Sequence, residues 1–243
     1  FGLTENGKYS APSFADLDGD GDMDLIAGTE DGSFNYFENT GTASLPAFSA
    51  VQSNPFGLTS VGFYSTPALV DIDGDGDFDL VTGESAGNIK YFQNTGTAAL
   101  PAFAVAQNNP FGLLDIGTLS SPALADIDND GDFDLMAGEE SGAFHYFENS
   151  GTALAPAFSS EQLNPFQLTN IGQYNAPALI DLDGDGDTDL VAGELDGNFI
   201  YFQNLDIIAA ASANSHHTFK YQAVVRDSSG SLITDQQLSL IHI

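Results

Sequence analysis

Residues 71–83 read Asp71-Ile-Asp-Gly-Asp-Gly-Asp-Phe-Asp-Leu-Val-Thr-Gly83. Aspartates at alternate positions, folded around a glycine at the sixth, gather oxygen donors for a hard cation such as calcium. The apolar run that follows, stopped by glycine, reads as a short β-strand. The same stretch recurs as Asp16–Gly28, Asp126–Gly138 and Asp181–Gly193, each copy 55 residues after the last. Loop and strand therefore belong to one repeated unit.

Other columns keep this period. A proline precedes each loop by four residues (Pro12, Pro67, Pro122, Pro177), and turn glycines follow at Gly32, Gly87, Gly142 and Gly197. Then come the pairs Tyr36-Phe37, Tyr91-Phe92, Tyr146-Phe147 and Tyr201-Phe202. An Asn-Thr/Ser-Gly-Thr turn and a Pro-Ala-Phe segment follow in the first three copies, and the pattern ends after Asn204. In the second copy, short apolar runs predict strands over 67–71, 78–83, 88–93 and 103–107. Runs such as Ala-Leu-Val are apolar on successive residues, hence on both faces of a strand, as expected where sheets stack on sheets. No segment carries a helical apolar period.

Four strands per repeat at this length predict an all-β chain, a β-propeller of four-stranded blades, with a β-solenoid as the rival. The units are 1–55, 56–110, 111–165 and a partial 166–204. Four blades are either an arc of a larger ring or a closed four-bladed propeller. Residues 205–218 read as a linker and 219–243 as the hairpin-like start of another module. Phe1 shares a column with Phe56, Phe111 and Phe166, so the sequence is expected to begin inside a longer array. The last six residues, Leu238–Ile243, read either as a native edge strand or as translated transposase-adaptor sequence.

The 243-residue chain carries a formal charge of −31, and the four loops hold 20 of its 35 acidic residues. Such a field repels nucleic acid and anionic membrane surfaces and attracts cations. There is no cysteine, which removes disulfides, thiolate nucleophiles and cysteine metal sites. No apolar run approaches the ~20 residues of a membrane span. Nor does any Ser/His/Asp set suggest a triad, and the chain is read as non-enzymatic.

The unit Asp-x-Asp-Gly-Asp-Gly-Asp-x-Asp-Leu-x-x-Gly resembles the FG-GAP/VCBS repeat of integrin α-subunit propellers and secreted bacterial proteins. Phe56-Gly57 and Phe111-Gly112 echo the family's Phe-Gly, while Gln167 breaks it. The resemblance implies about seven blades in a complete ring and one calcium ion per loop, up to four. It implies that positions one, three, five and nine give carboxylates and position seven a backbone carbonyl. These are Asp16, Asp18, Asp20, Asp24 and Asp22 in the first loop; Asp71, Asp73, Asp75, Asp79 and Asp77 in the second. In the third they are Asp126, Asp128, Asp130, Asp134 and Asp132; in the fourth Asp181, Asp183, Asp185, Asp189 and Asp187. Asn129 replaces a glycine at position four and tolerates left-handed backbone better than most residues.

An EF-hand is excluded, because Ala27, Thr82, Ala137 and Ala192 stand where its bidentate glutamate would be, and the flanks are strand-like. A dockerin is excluded by the same flanks. Acidic turns without a cation are disfavoured. Two like charges ~6 Å apart cost roughly 0.7 kcal/mol even in water, and five aspartates make ten such pairs.

The Tyr-Phe pairs are read as core rather than as a sugar-stacking platform, because they recur at one strand position. His145 falls in a variable column with Asn35, Lys90 and Ile200 and is expected at the surface; His216-His217 reads as linker. The expectation is an extracellular or cell-surface adhesion and recognition module with structural calcium. It would bind a protein or glycan ligand, with no nucleic-acid partner and no membrane insertion. The alternative is a non-catalytic accessory domain of a larger secreted, polysaccharide-acting enzyme.

Overall fold

A computed structural model describes residues 2–4, 6–204, 221–226 and 232–233. Phe1, the linker 205–218 with His216-His217, and Leu238–Ile243 lie outside the described residues. Blade one comprises β1 (Ala11–Ala15), β2 (Asp24–Gly28), β3 (Phe34–Phe37) and β4 (Gln52–Ser53). Blade two comprises β5 (Thr66–Val70), β6 (Asp79–Gly83), β7 (Lys90–Phe92) and β8 (Gln107–Asn108). Blade three comprises β9 (Ser121–Ala125), β10 (Asp134–Gly138), β11 (Phe144–Phe147) and β12 (Gln162–Leu163). In blade four, β13 (Ala176–Ile180), β14 (Asp189–Gly193) and β15 (Phe199–Asn204) are joined by β16 (Tyr221–Arg226) and β17 (Leu232–Ile233). Each sheet is an antiparallel meander in sequence order. The first strands β1, β5, β9 and β13 lie beside one another and form the inner rim. The molecule is an all-β propeller assembly of four blades.

Second strands show why this sequence builds stacked sheets. Every residue of β2, β6 and β10 is buried. Because side chains alternate across a strand, burial throughout requires a neighbour on both sheet faces. Adjacent blades supply those neighbours. Ile26, Phe34 and Tyr36 of blade one pack with Leu80, Phe92 and Leu69 of blade two. Val81, Ile89 and Tyr91 likewise meet Leu135, Phe147 and Leu124. Phe34 and Phe92 meet edge to face with ring centroids 5.7 Å apart, as do Phe144 and Phe202 at 5.6 Å.

The glycines that end the second strands serve the junctions. A methyl group placed on Gly28 would lie 2.0 Å from the Ser65 carbonyl oxygen of the next blade; on Gly83, 1.9 Å from that of Ser120. Backbone hydrogen bonds lie alongside, such as Ser65 N–H to Thr29 O (3.2 Å) and Ser120 N–H to Glu84 O (3.2 Å). Only glycine admits this approach.

Two expectations are corrected. The fourth strand of blade two is Gln107–Asn108, not 103–107. Phe103 makes only an isolated bridge to Asn94, and its N–H is drawn to Phe56 O at 2.8 Å. Its ring is wanted in the core between blades, so the edge strand forms only when the chain returns beside Tyr91. His145 is buried, not at the surface. Its Nδ1 meets Glu161, a polar partner that offsets the cost of burial.

Blade four differs. Phe34, Ile89 and Phe144 are fully buried, but Phe199 in the same column is 82% exposed. Among the described residues blade one does not cover this face, and the four blades form an open arc. Strand β16 takes the outer position that β4, β8 and β12 hold elsewhere, pairing Tyr201↔Val224 through Asn204↔Tyr221.

Candidate metal centre and axial pocket

Each aspartate loop connects the first two strands of its blade, where Ala15 pairs Asp24 and Val70 pairs Asp79. The first aspartate shapes the loop. Asp16 accepts Gly19 N–H (2.8 Å) and Asp20 N–H (3.1 Å) on Oδ1, and Gly21 N–H (3.0 Å) on Oδ2. Asp71, Asp126 and Asp181 hold their loops in the same way. Positions four and six are left-handed, with φ of 74° and 96° at Gly19 and Gly21. Asn129 adopts φ 60° at position four, so its replacement of glycine leaves the loop intact.

These turns gather carboxylates. Oxygens of Asp16, Asp18 and Asp20 lie within 4.8 Å of one another, as do those of Asp126, Asp128 and Asp130. In the other two loops the trios are Asp71, Asp73, Asp79 and Asp181, Asp183, Asp189. Positions one, three, five and nine thus supply the clusters. Asp75, Asp185, Asp24 and Asp134 lie in the same loops outside their own trios.

The ninth aspartate also ties the loop to strand three. Asp24 accepts Leu17 N–H (3.2 Å) and Tyr36 O–H (2.9 Å) on Oδ2, and Asn39 N–H (2.7 Å) on Oδ1. Asp79, Asp134 and Asp189 receive the matching tyrosine and asparagine. Asn39 Oδ1 in turn accepts Gly41 and Ala47 N–H, closing the following turn. The periodic Tyr and Asn columns were visible in sequence, but their link to the loop was not. A further column missed in sequence is Glu38, Gln93, Glu148 and Gln203. Gln93 donates to Asp73 Oδ2 at 2.8 Å, and Gln203 donates to Asp183.

Burial charges these loops with electrostatic stress. Desolvation pushes Asp79 and Asp134 up to about 7, against opposing hydrogen bonds from Asn94 and Asn149. Asp128 is pushed up to about 6 by desolvation, then by Asp130. Desolvation, followed by Asp20, Asp18 and Asp16, raises Asp22; Asp77 and Asp132 are raised alike. The Oδ1 atoms of Asp22, Asp77 and Asp132, with Asp73 Oδ1, are buried without a hydrogen-bond partner among the described residues. Orphaned anionic oxygens beside clustered carboxylates fit a hard divalent cation, and an all-oxygen donor set fits calcium. At position seven the side-chain oxygen is thus buried, whereas the resemblance implied only the backbone carbonyl there as a donor.

A second feature lies at the inner rim. Tyr9, Tyr64, Leu119 and Tyr174 occupy one column of the repeat and converge on a cavity of about 730 Å³. All four adopt left-handed backbone, with φ between 55° and 59°. Such backbone is uncommon for large side chains and marks a conformation imposed by its surroundings. Tyr9 and Tyr64 meet edge to face, 4.9 Å between centroids. Asn198 and Glu194 of blade four complete a wall that is otherwise apolar.

Stacked antiparallel blades with an aspartate loop between their first two strands define a repeat β-propeller. Matches to the FG-GAP-like repeat cover residues 16–82, 71–137 and 126–192. The chain belongs to this family. No curated protein matches it. Among solved structures it is similar to an Agrocybe aegerita lectin described as recognising non-reducing terminal N-acetylglucosamine. The identity is 20%, the TM-score 0.53, and the match covers 92% of this chain and 55% of the lectin. The chain thus spans about half the length of that protein, and the likeness is one of fold. A Photorhabdus luminescens Tc holotoxin pore is similar at 19% identity and a TM-score of 0.45, over 77% of this chain and 9% of that one. No helix among the described residues is long and apolar enough to cross a membrane.

Proposed function

We propose that this protein is a non-catalytic extracellular recognition module whose blades are held by structural calcium. The observation that carries the reading is the set of buried, unpartnered oxygens on Asp22, Asp73, Asp77 and Asp132 beside clustered carboxylates. When bound, calcium neutralises the loop. Asp16, Asp71, Asp126 and Asp181 orient the loop backbone, while the ninth aspartate holds strand three through a tyrosine hydroxyl and an asparagine amide. Loops of this kind suit calcium near ~0.1–1 mM, the range of extracellular modules, and this supports the extracellular reading. Binding to the folded state alone stabilises it by mass action.

For recognition, the axial pocket offers aromatic faces with a few polar groups, a surface suited to the apolar face of a sugar. A lectin of the same fold that takes a terminal N-acetylglucosamine supports a glycan over a peptide as the ligand at the cell surface. The test has two parts. Chelation should lower the melting temperature by about 10 °C or more, and millimolar calcium but not magnesium should restore it. A melt unchanged by chelation at low salt would remove calcium from the reading. A glycan array probed in calcium should then give binding that Tyr64→Ala abolishes, and an array without hits would remove the glycan.

A further inference from the structure

We propose that the residue two places after the strand-three tyrosine sorts the four metal loops into two classes. Glu38 and Glu148 give loops one and three a further carboxylate that tightens their hold on calcium. The inference rests on the calcium reading above and adds to it residues outside the nine-residue loops. All four loops share the turn built on the first aspartate and the tie from the ninth aspartate to strand three. They part at one column, which reads Glu38, Gln93, Glu148 and Gln203.

The geometry follows that column. Gln93 donates its side-chain N–H to Asp73 Oδ2 at 2.8 Å, and Gln203 donates to Asp183 Oδ2. In those two loops the third position is held towards strand three, and the clustered oxygens belong to positions one, three and nine. A glutamate carboxylate has no proton to give, so Asp18 and Asp128 go without that anchor. Asp18 Oδ1 accepts Asp20 N–H and Asp128 Oδ1 accepts Asp130 N–H, both at 3.2 Å. There the clustered oxygens belong to positions one, three and five. The two glutamate loops share one arrangement and the two glutamine loops the other.

The glutamates also act on the loops through their charge. Beyond desolvation and the loop's own aspartates, Glu148 pushes Asp128 and Asp132 upward. Desolvation, then Asp24 and Asp18, raise Tyr36, and Glu38 adds to them. Loops one and three also hold the buried Oδ1 atoms of Asp22 and Asp132, unpartnered among the described residues. A cation there meets six carboxylates, counting the glutamate, against five in loops two and four. In loops two and four an amide N–H also engages one of the five. Calcium affinity in oxygen loops is tuned by ligand charge. One unit charge ~6 Å from a divalent ion is worth roughly a factor of ten in affinity even at water's dielectric constant.

Equilibrium dialysis of the full, calcium-stripped chain against graded free calcium measures the two classes. The wild type should bind two ions about tenfold more tightly than the other two. Glu148→Gln should move one ion from the tight class to the weak, and adding Glu38→Gln should leave a single weak class. Glutamine already stands in this column in blades two and four, so the fold accepts the exchange, and circular dichroism of the chelated variants checks it. The reverse change, Gln93→Glu, should move one ion from the weak class to the tight. A merely structural role would not produce that gain, and it tests the proposal even if the glutamate variants fold poorly. Four ions bound as one class, or a Gln93→Glu variant that gains no tight ion, would overturn the proposal and leave structural calcium standing. A chain that takes up no calcium would overturn both readings.

Discussion

Blades three and four carry the same loop and different faces. Asp134 and Asp189 are both buried and both receive a tyrosine hydroxyl, an asparagine N–H and a loop N–H. The loop is therefore a local device that each blade assembles from its own residues. The faces behave otherwise: Phe144 is sealed and Phe199 is exposed, although both follow the same turn and start the same strand. A side chain in this fold earns its burial from the next blade.

The largest contrast is expected from truncating that column. Phe144→Ala should cost about 3–5 kcal/mol in chemical denaturation, as for other buried phenylalanines. Phe199→Ala, measured in dilute protein, should stay within about 0.5 kcal/mol of the wild type, as exposed substitutions do. Comparable costs would mean that the two faces are equally packed in solution, and the contrast would fall.

A smaller effect is expected at the glycines. Gly83→Ala drives a methyl group against the Ser120 carbonyl and should destabilise by about 1–3 kcal/mol, the usual range for overpacking. The first contact met by the same methyl on Gly193 is the Phe199 ring at 3.6 Å, so Gly193→Ala should be close to neutral. Urea titrations of the two variants decide the point.

The third prediction concerns the loops, where the blades should agree. Asp79 and Asp134 titrate near 7 in the calcium-free fold and near 3.8 when unfolded. Between those values the folded state holds more protons, so stability falls as pH rises from about 4 to about 7. Without calcium the protein should melt higher at pH 5 than at pH 8. With calcium saturating, the order should reverse, because protons compete with the ion for the same oxygens. Thermal melts at both pH values with chelator and with calcium check this, and a calcium-free melt indifferent to pH would contradict the burial of these carboxylates.

Much of this architecture was legible because the repeat is so regular. The alternating aspartates announced the loops, and Asp-Leu-Val-Thr-Gly announced a strand covered on both sides. The short fourth strand was not legible, because Phe103 is apolar for the sake of the interblade core rather than for a sheet. His145 escaped because a variable column says nothing of Glu161, which lies elsewhere in the sequence. The tyrosine link to the loop escaped for a related reason: aromatic periodicity reports burial, whereas a hydroxyl's partner is fixed only in three dimensions. Exposure of blade four was beyond reach altogether. Leu182 and Phe199 are as apolar as their buried counterparts, so nothing in the periodic sequence marks their exposure.

The recurrence of one junction three times has an evolutionary consequence. Gly28, Gly83 and Gly138 each accept a backbone from the following blade in the same manner, so the backbone of one junction is the backbone of all three. A 55-residue duplication or deletion in the gene would then preserve the glycine contact at the new seam.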